Sequence, residues 1–105
     1  MVEKKYRICL IVPLGNRKGE MVLREDSGLV EGWLDLMNEK NTFSGELSAD
    51  GQLIFSGTLR TLVNTLHYMA TGIISGRNII LNIKTDTGAC YPLTGEEYLT
   101  DEQTI

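Results

Sequence analysis

The stretch FSGELSADGQLIFSG, residues 43–57, holds Phe-Ser-Gly twice, and each copy runs on to a leucine two residues later, giving Phe-Ser-Gly-x-Leu at 43–47 and at 55–59. Asp50-Gly51 lies between the copies, and Asp-Gly between two alternating apolar runs is a strong short-range signal for a β-hairpin. Glycine inside a strand costs roughly 0.5–1 kcal/mol relative to alanine. The same cost taken twice in the same register implies a geometric need. Side chains on a strand alternate between faces, so Phe43, Gly45 and Leu47 share one face, as do Phe55, Gly57 and Leu59. The hairpin therefore places Phe, Gly and Leu inward on both strands and its serines outward.

The same grammar extends along the chain. Turn signals recur at 15–19, 26–28, 38–41, 49–51, 63–64, 75–78 and 86–88, pairing residues that tolerate positive φ with polar neighbours. They divide the 105 residues into eight expected strands, at 5–14, 20–26, 29–37, 42–48, 52–61, 65–74, 78–85 and 89–97. Segment 30–38 also carries apolar residues at helical spacing, as does 59–70. Gly32 and the period of two through Leu34 and Leu36 favour a strand in the first, and Asn64 with its neighbouring threonines favours a hairpin in the second. Every connection is too short for a parallel crossover, so neighbouring strands are antiparallel. An open eight-stranded meander leaves two raw edges, and closure removes them. The expected fold is all-β, an eight-stranded antiparallel up-and-down meander closing into a small barrel. Gly32, Gly45, Gly57, Gly72 and Gly95 all fall on the inward face, as sharply coiled barrel strands require.

Length and composition set bounds on function. A chain of 105 residues suits one domain, 1–105, with an acidic tail at 98–105 that is expected to fray. Net charge is −4, which argues against a nucleic-acid surface, since duplex binding needs a clustered positive footprint. No apolar run approaches the ~20 residues of a membrane-spanning helix, and the start MVEKKYRICLIVPLG reads as a strand rather than a signal peptide. A cytoplasmic location is expected, with Cys9 and Cys90 reduced and outward-facing. A mid-strand register sets Cys9 beside Thr94 rather than Cys90. The single histidine, His67, has no companion at metal-ligand spacing, so neither a metal nor another cofactor is expected.

No catalytic cluster of nucleophile, base and orienting group is visible, and the chain does not read as an enzyme. Glu31 and Asp35, four apart on one strand, would lie ~13 Å apart, too far for paired carboxylate chemistry. Ser44 and Ser56 lack the strand-turn-helix setting of a nucleophile elbow. Binding residues are better sought inside. Tyr6, Phe43, Phe55, Tyr68 and Tyr91 point inward and are the candidate lining of a lumen. Outside, Trp33 and Met37 share one face and are the candidates for a partner or dimer contact.

The chain resembles small single-domain bacterial proteins with a calycin-like (lipocalin- or avidin-like) meander, through its strand count, its short hairpins and the recurring steps at 32–34, 43–47 and 55–59. The resemblance implies the meander barrel and attaches no characterised activity to it. Lipocalins carry Gly-x-Trp near the N-terminus, whereas Gly32-Trp33 are adjacent and on the third strand. The binding residues of neither lipocalins nor avidins carry over. Two functions stay open: a barrel binding one small apolar or amphipathic ligand in its lumen, or a packed barrel acting through its outer face around Trp33, as a homodimer or on another protein. No nucleic-acid or membrane partner is expected.

Overall fold

A computed structural model describes residues 2–13, 15–36, 39–60 and 65–98. They form eight strands: β1 (Val2–Leu10), β2 (Arg17–Asp26), β3 (Leu29–Leu36), β4 (Glu39–Leu47), β5 (Gln52–Arg60), β6 (Thr65–Ser75), β7 (Asn78–Thr85) and β8 (Cys90–Glu97). Each pairs antiparallel with the next, and β8 pairs with β1 to close the barrel. The expected meander is the fold, and no edge is left between the first and last strands.

The opening hairpin forms as its sequence requires. Gly51 takes φ 90°, a conformation that a side chain would strain. The Ser48 amide donates to the Gln52 carbonyl at 2.9 Å, and the Ile74 amide donates to the Gly51 carbonyl at 2.9 Å, tying the turn to β6. β1 differs from its expected span of 5–14. It begins at Val2 because residues 2–5 pair with residues 22–25 of β2, so the Glu-Lys-Lys run is a strand and not a leader to one. It ends at Leu10, where the pairing with Leu93 stops; the Ile11 amide makes one more bond to the Pro92 carbonyl before the chain turns at Val12. Cys9 pairs with Thr94, as the register argument expects.

The barrel is strongly sheared. A cross-strand row starting at Leu10 passes through Leu93, Leu81, Gly72, Leu53 and Leu47, and reaches the β2–β3 turn at Gly28, beside the far end of the barrel. Tilt and stagger of this kind set how wide an eight-stranded barrel is. Its interior is one apolar cluster that includes Tyr6, Met21, Leu34, Phe43, Phe55 and Tyr68.

The two halves of the outer wall differ in chemistry. On β1 to β3 the outward positions carry charges of both signs, among them Arg7, Glu20, Arg24, Glu31 and Asp35. On the other half, the outward positions from Gln52 to Ser56, from Met69 to Ser75 and from Asn78 to Asn82, with Pro92 and Thr94, carry no charge at all. Ile54, Met69, Ile73 and Ile80 stand there between 44% and 63% exposed.

Candidate functional site

The inward aromatics meet where the inward glycines allow it. One cross-strand row reads Gly32, Phe43, Gly57, Tyr68, so rings and glycines alternate from strand to strand. A Cβ at Gly57 would lie 3.1 Å from the Tyr68 hydroxyl and 2.6 Å from the Thr42 carbonyl oxygen. The Tyr68 ring therefore lies across Gly57. Gly45 is more constrained still, because a Cβ there would stand 2.0 Å from the Ile54 carbonyl oxygen and 2.6 Å from the Phe55 Cβ. Phe55 pairs directly with Gly45, and this close backbone approach is what the glycine permits.

Three of the five lumen candidates form one cluster. Phe43 and Phe55 stack with ring centroids 4.1 Å apart, and Tyr68 meets Phe55 edge-on at 6.1 Å. All three are buried. Tyr6 is fully buried on β1, between Met21 of β2 and Glu97 of β8. Tyr91 is half-buried and pairs with Ile83 against the margin of the core.

Four buried side chains in this interior carry polar atoms: Tyr6, Asn41, Tyr68 and Thr85. Two are satisfied. Asn41 donates to the Glu39 carbonyl at 3.1 Å and accepts from the Arg60 amide at 3.1 Å, pinning β4 to the end of β5. Thr85 shares a 2.8 Å bond with the Thr87 hydroxyl. The hydroxyls of Tyr6 and Tyr68 have no hydrogen-bond partner among the described residues. Burial pushes both up in pKa. Tyr6 rises to about 12, through burial first and the nearby Glu97 carboxylate second; Tyr68 rises further, through burial alone. Both hydroxyls are therefore neutral at physiological pH and able to donate a hydrogen bond.

The outward candidates are spread around the wall. Trp33 is half-buried, pairs with Val22, and has the Arg24 guanidinium 5.4 Å and the Lys40 ammonium 5.1 Å from its ring centroid. Val22 is buried although its parity points outward, between Lys5 of β1 and Trp33. Met37 lies outside the described residues. Ser44 and Ser56 face each other across β4 and β5 on the exposed surface. His67 is exposed opposite Thr58. Cys9 and Cys90 are free thiols on the outer face. Among the described residues no three His, Cys, Asp or Glu side chains converge as a metal site would need.

Two further features shape the outer surface. Ile54 and Ile80 each sit in a continuous apolar run, Leu-Ile-Phe and Ile-Ile-Leu, where the outward residue is as apolar as its inward neighbours. Tyr98, beyond the last strand, folds back onto β1 and β2. Its amide donates to the Lys5 carbonyl at 3.0 Å, its hydroxyl donates to Glu20 at 3.0 Å, and the Arg7 guanidinium lies 4.8 Å from its ring centroid.

No family model matches this chain, and no curated protein matches it. Among solved structures it is similar to a redesigned β-barrel, mFAP1, whose structure was determined bound to DFHBI. The likeness has a TM-score of 0.62 at 14% identity and covers 90% of this chain and 92% of that one. At that identity the likeness concerns the fold, and the chain is a small antiparallel β-barrel of the same architecture.

Proposed function

We propose that this protein is a calycin-like binding barrel and not an enzyme, and that it holds one small, mostly apolar molecule inside the barrel against Phe43, Phe55 and Tyr68. The observation that carries this reading is the pair of buried tyrosine hydroxyls, on Tyr6 and Tyr68, that no side chain or backbone group among the described residues satisfies. A buried polar group without a partner costs ~1–3 kcal/mol, and an interior that only needed filling could use phenylalanine at both positions. A ligand with an acceptor atom at one or both hydroxyls recovers that energy and gains specificity from it. The apolar rings supply the contact area, and the hydroxyls fix orientation, the usual division of labour in a small-molecule site.

The buried side chains form one packed cluster, so a ligand enters by parting them. The Phe43–Phe55 stack is the contact given up, worth ~0.5–1.5 kcal/mol beyond its area, which is within what one newly satisfied hydroxyl returns. That a redesigned barrel of like size and fold is bound to DFHBI supports the idea that such a barrel admits a small molecule.

Native mass spectrometry on protein purified from a rich medium tests the reading. One small molecule per chain is expected, released on denaturation, with its affinity lowered about tenfold by Tyr68→Phe for ~1.4 kcal/mol of lost hydrogen bonding. Bare chain from every preparation, with a melting temperature that phenols, aromatic acids and medium-chain fatty acids all leave unmoved, overturns it.

A further inference from the structure

We propose that the uncharged outer wall spanning β5 to β8 is the interface of a homodimer, centred on the cross-strand pair Ile73 and Ile80. These are the most exposed members of the patch, at 53% and 63%, and they face each other across β6 and β7. Ile54 lies one strand over, opposite Thr71, so the apolar side chains are contiguous rather than scattered. Depletion of charge at the centre, with methionine and large apolar side chains exposed, is the compositional mark of an interface core. On an acidic chain whose charges gather on the other half of the barrel, it marks this face out.

Charge also selects the occupant. Two copies of a chain with net charge −4 repel each other, and the neutral wall is where they approach against least opposition. An anionic membrane fits poorly, because the patch carries no lysine or arginine to meet headgroups, and Lys84 stands only at its rim. The rim is self-complementary. Lys84 is one outward position above Asn82 on β7, and Glu96 pairs with Asn78 at the opposite end of the patch. A twofold axis crossing the strands between the Thr71–Asn82 row and the Ile73–Ile80 row carries Lys84 of each copy to the level of Asn78 and Glu96 of the other. The isoleucines then pack across the centre, and two Lys84–Glu96 pairs close the ends.

The area agrees with a reversible dimer. Four strands at ~4.8 Å spacing, and the six residue steps from Met69 to Ser75 at ~3.4 Å each, project to about 400 Å². Side-chain relief raises this, so two copies bury on the order of 1,000 Å², the lower bound for a specific interface.

Sedimentation equilibrium on the full chain, from about 1 to 500 μM, spans the range expected of an interface this size. A concentration-dependent monomer–dimer equilibrium is expected. Ile73→Lys or Ile80→Lys, at outward positions that leave the core untouched, should weaken it by about 30-fold or more, as loss of a central contact does. Trp33→Ala, on the opposite wall, should leave it unchanged. Lys84→Glu should weaken it, and the double exchange Lys84→Glu with Glu96→Lys should restore it. A chain monomeric throughout overturns the proposal, including the case in which a different protein uses this wall. So does a dimer indifferent to both isoleucine substitutions, while failure of the charge exchange to restore association overturns the twofold arrangement.

Discussion

Replacing Tyr68 by phenylalanine removes one oxygen from the barrel interior and little else. The ring still lies across Gly57 and still meets Phe55 edge-on, so no cavity larger than a hydroxyl appears. In the folded protein that hydroxyl is buried without a partner among the described residues, whereas in the unfolded chain water satisfies it. Folding therefore carries a desolvation penalty of ~1–3 kcal/mol at this atom, which phenylalanine avoids. Against this stands the loss of a few van der Waals contacts at ~0.1–0.2 kcal/mol each. The net expectation is a stabilisation of about 1–2 kcal/mol. A chain of this length unfolds with an entropy near 0.2 kcal/mol/K, so each kcal/mol moves the melting temperature by about 4–5 °C. Compared as ligand-free proteins refolded from denaturant, Tyr68→Phe should melt roughly 5–10 °C higher than the parent, and its urea midpoint should rise at constant slope. Tyr98→Phe, which removes an exposed hydroxyl bonded to Glu20, is the control and should change stability by no more than ~0.5 kcal/mol. A Tyr68→Phe variant that melts several degrees lower would refute the reasoning. The hydroxyl would then have a partner in the folded state, a buried water being the obvious one, and the interior would no longer ask for a ligand.

Two further perturbations bear on the same interior. Tyr6 ionises in the folded protein only at about 12, so its contribution to stability is complete below the unfolded tyrosine value near 10 and is lost as pH rises from there through 12; Tyr68, raised further by burial, adds to the same decline, so urea unfolding between about pH 8 and 12 should show stability falling above 10, and Tyr6→Phe should lessen the fall without abolishing it. Gly45→Ala sets a methyl 2.0 Å from the Ile54 carbonyl oxygen, a clash with backbone that no side-chain rotation relieves; β4 and β5 must part locally, so circular dichroism and urea titration should find a loss of ~3 kcal/mol or more.

Most of the fold was legible because period and punctuation agreed. The repeated Phe-Ser-Gly-x-Leu fixed both faces of a hairpin, and its glycines recur in the same inward parity on β3, β6 and β8. Parity alone set Phe43, Phe55 and Tyr68 on one surface. That they touch depends on register, and register followed from the Asp50-Gly51 turn, which aligns Gly45 with Phe55. The limits of β1 were harder to read. Lys4 and Lys5 look like a solvated leader, yet each strand end is set by its neighbours, and β2 reaches far enough to pair with residues as early as Val2.

Alternation assigns faces only where the two faces differ in polarity. In Glu-Gly-Trp-Leu-Asp-Leu, Trp33 stands out on a polar outer face and attracts notice as a contact residue; Arg24 and Lys40 flank its ring, and it pairs with Val22. In Leu-Ile-Phe and Asn-Ile-Ile-Leu no contrast exists. Parity with Phe55 and Leu81 sets Ile54 and Ile80 outward, although each is as apolar as its inward neighbours and leaves nearly half or more of its surface in water. A residue apolar on both sides of a sheet signals either burial on both faces or an exposed apolar wall. In a closed single-layer barrel with no covering helix among the described residues, those residues offer no cover on the outer side. Runs of unbroken apolar character on a meander strand are therefore where an outer contact surface should be sought, ahead of any conspicuous tryptophan.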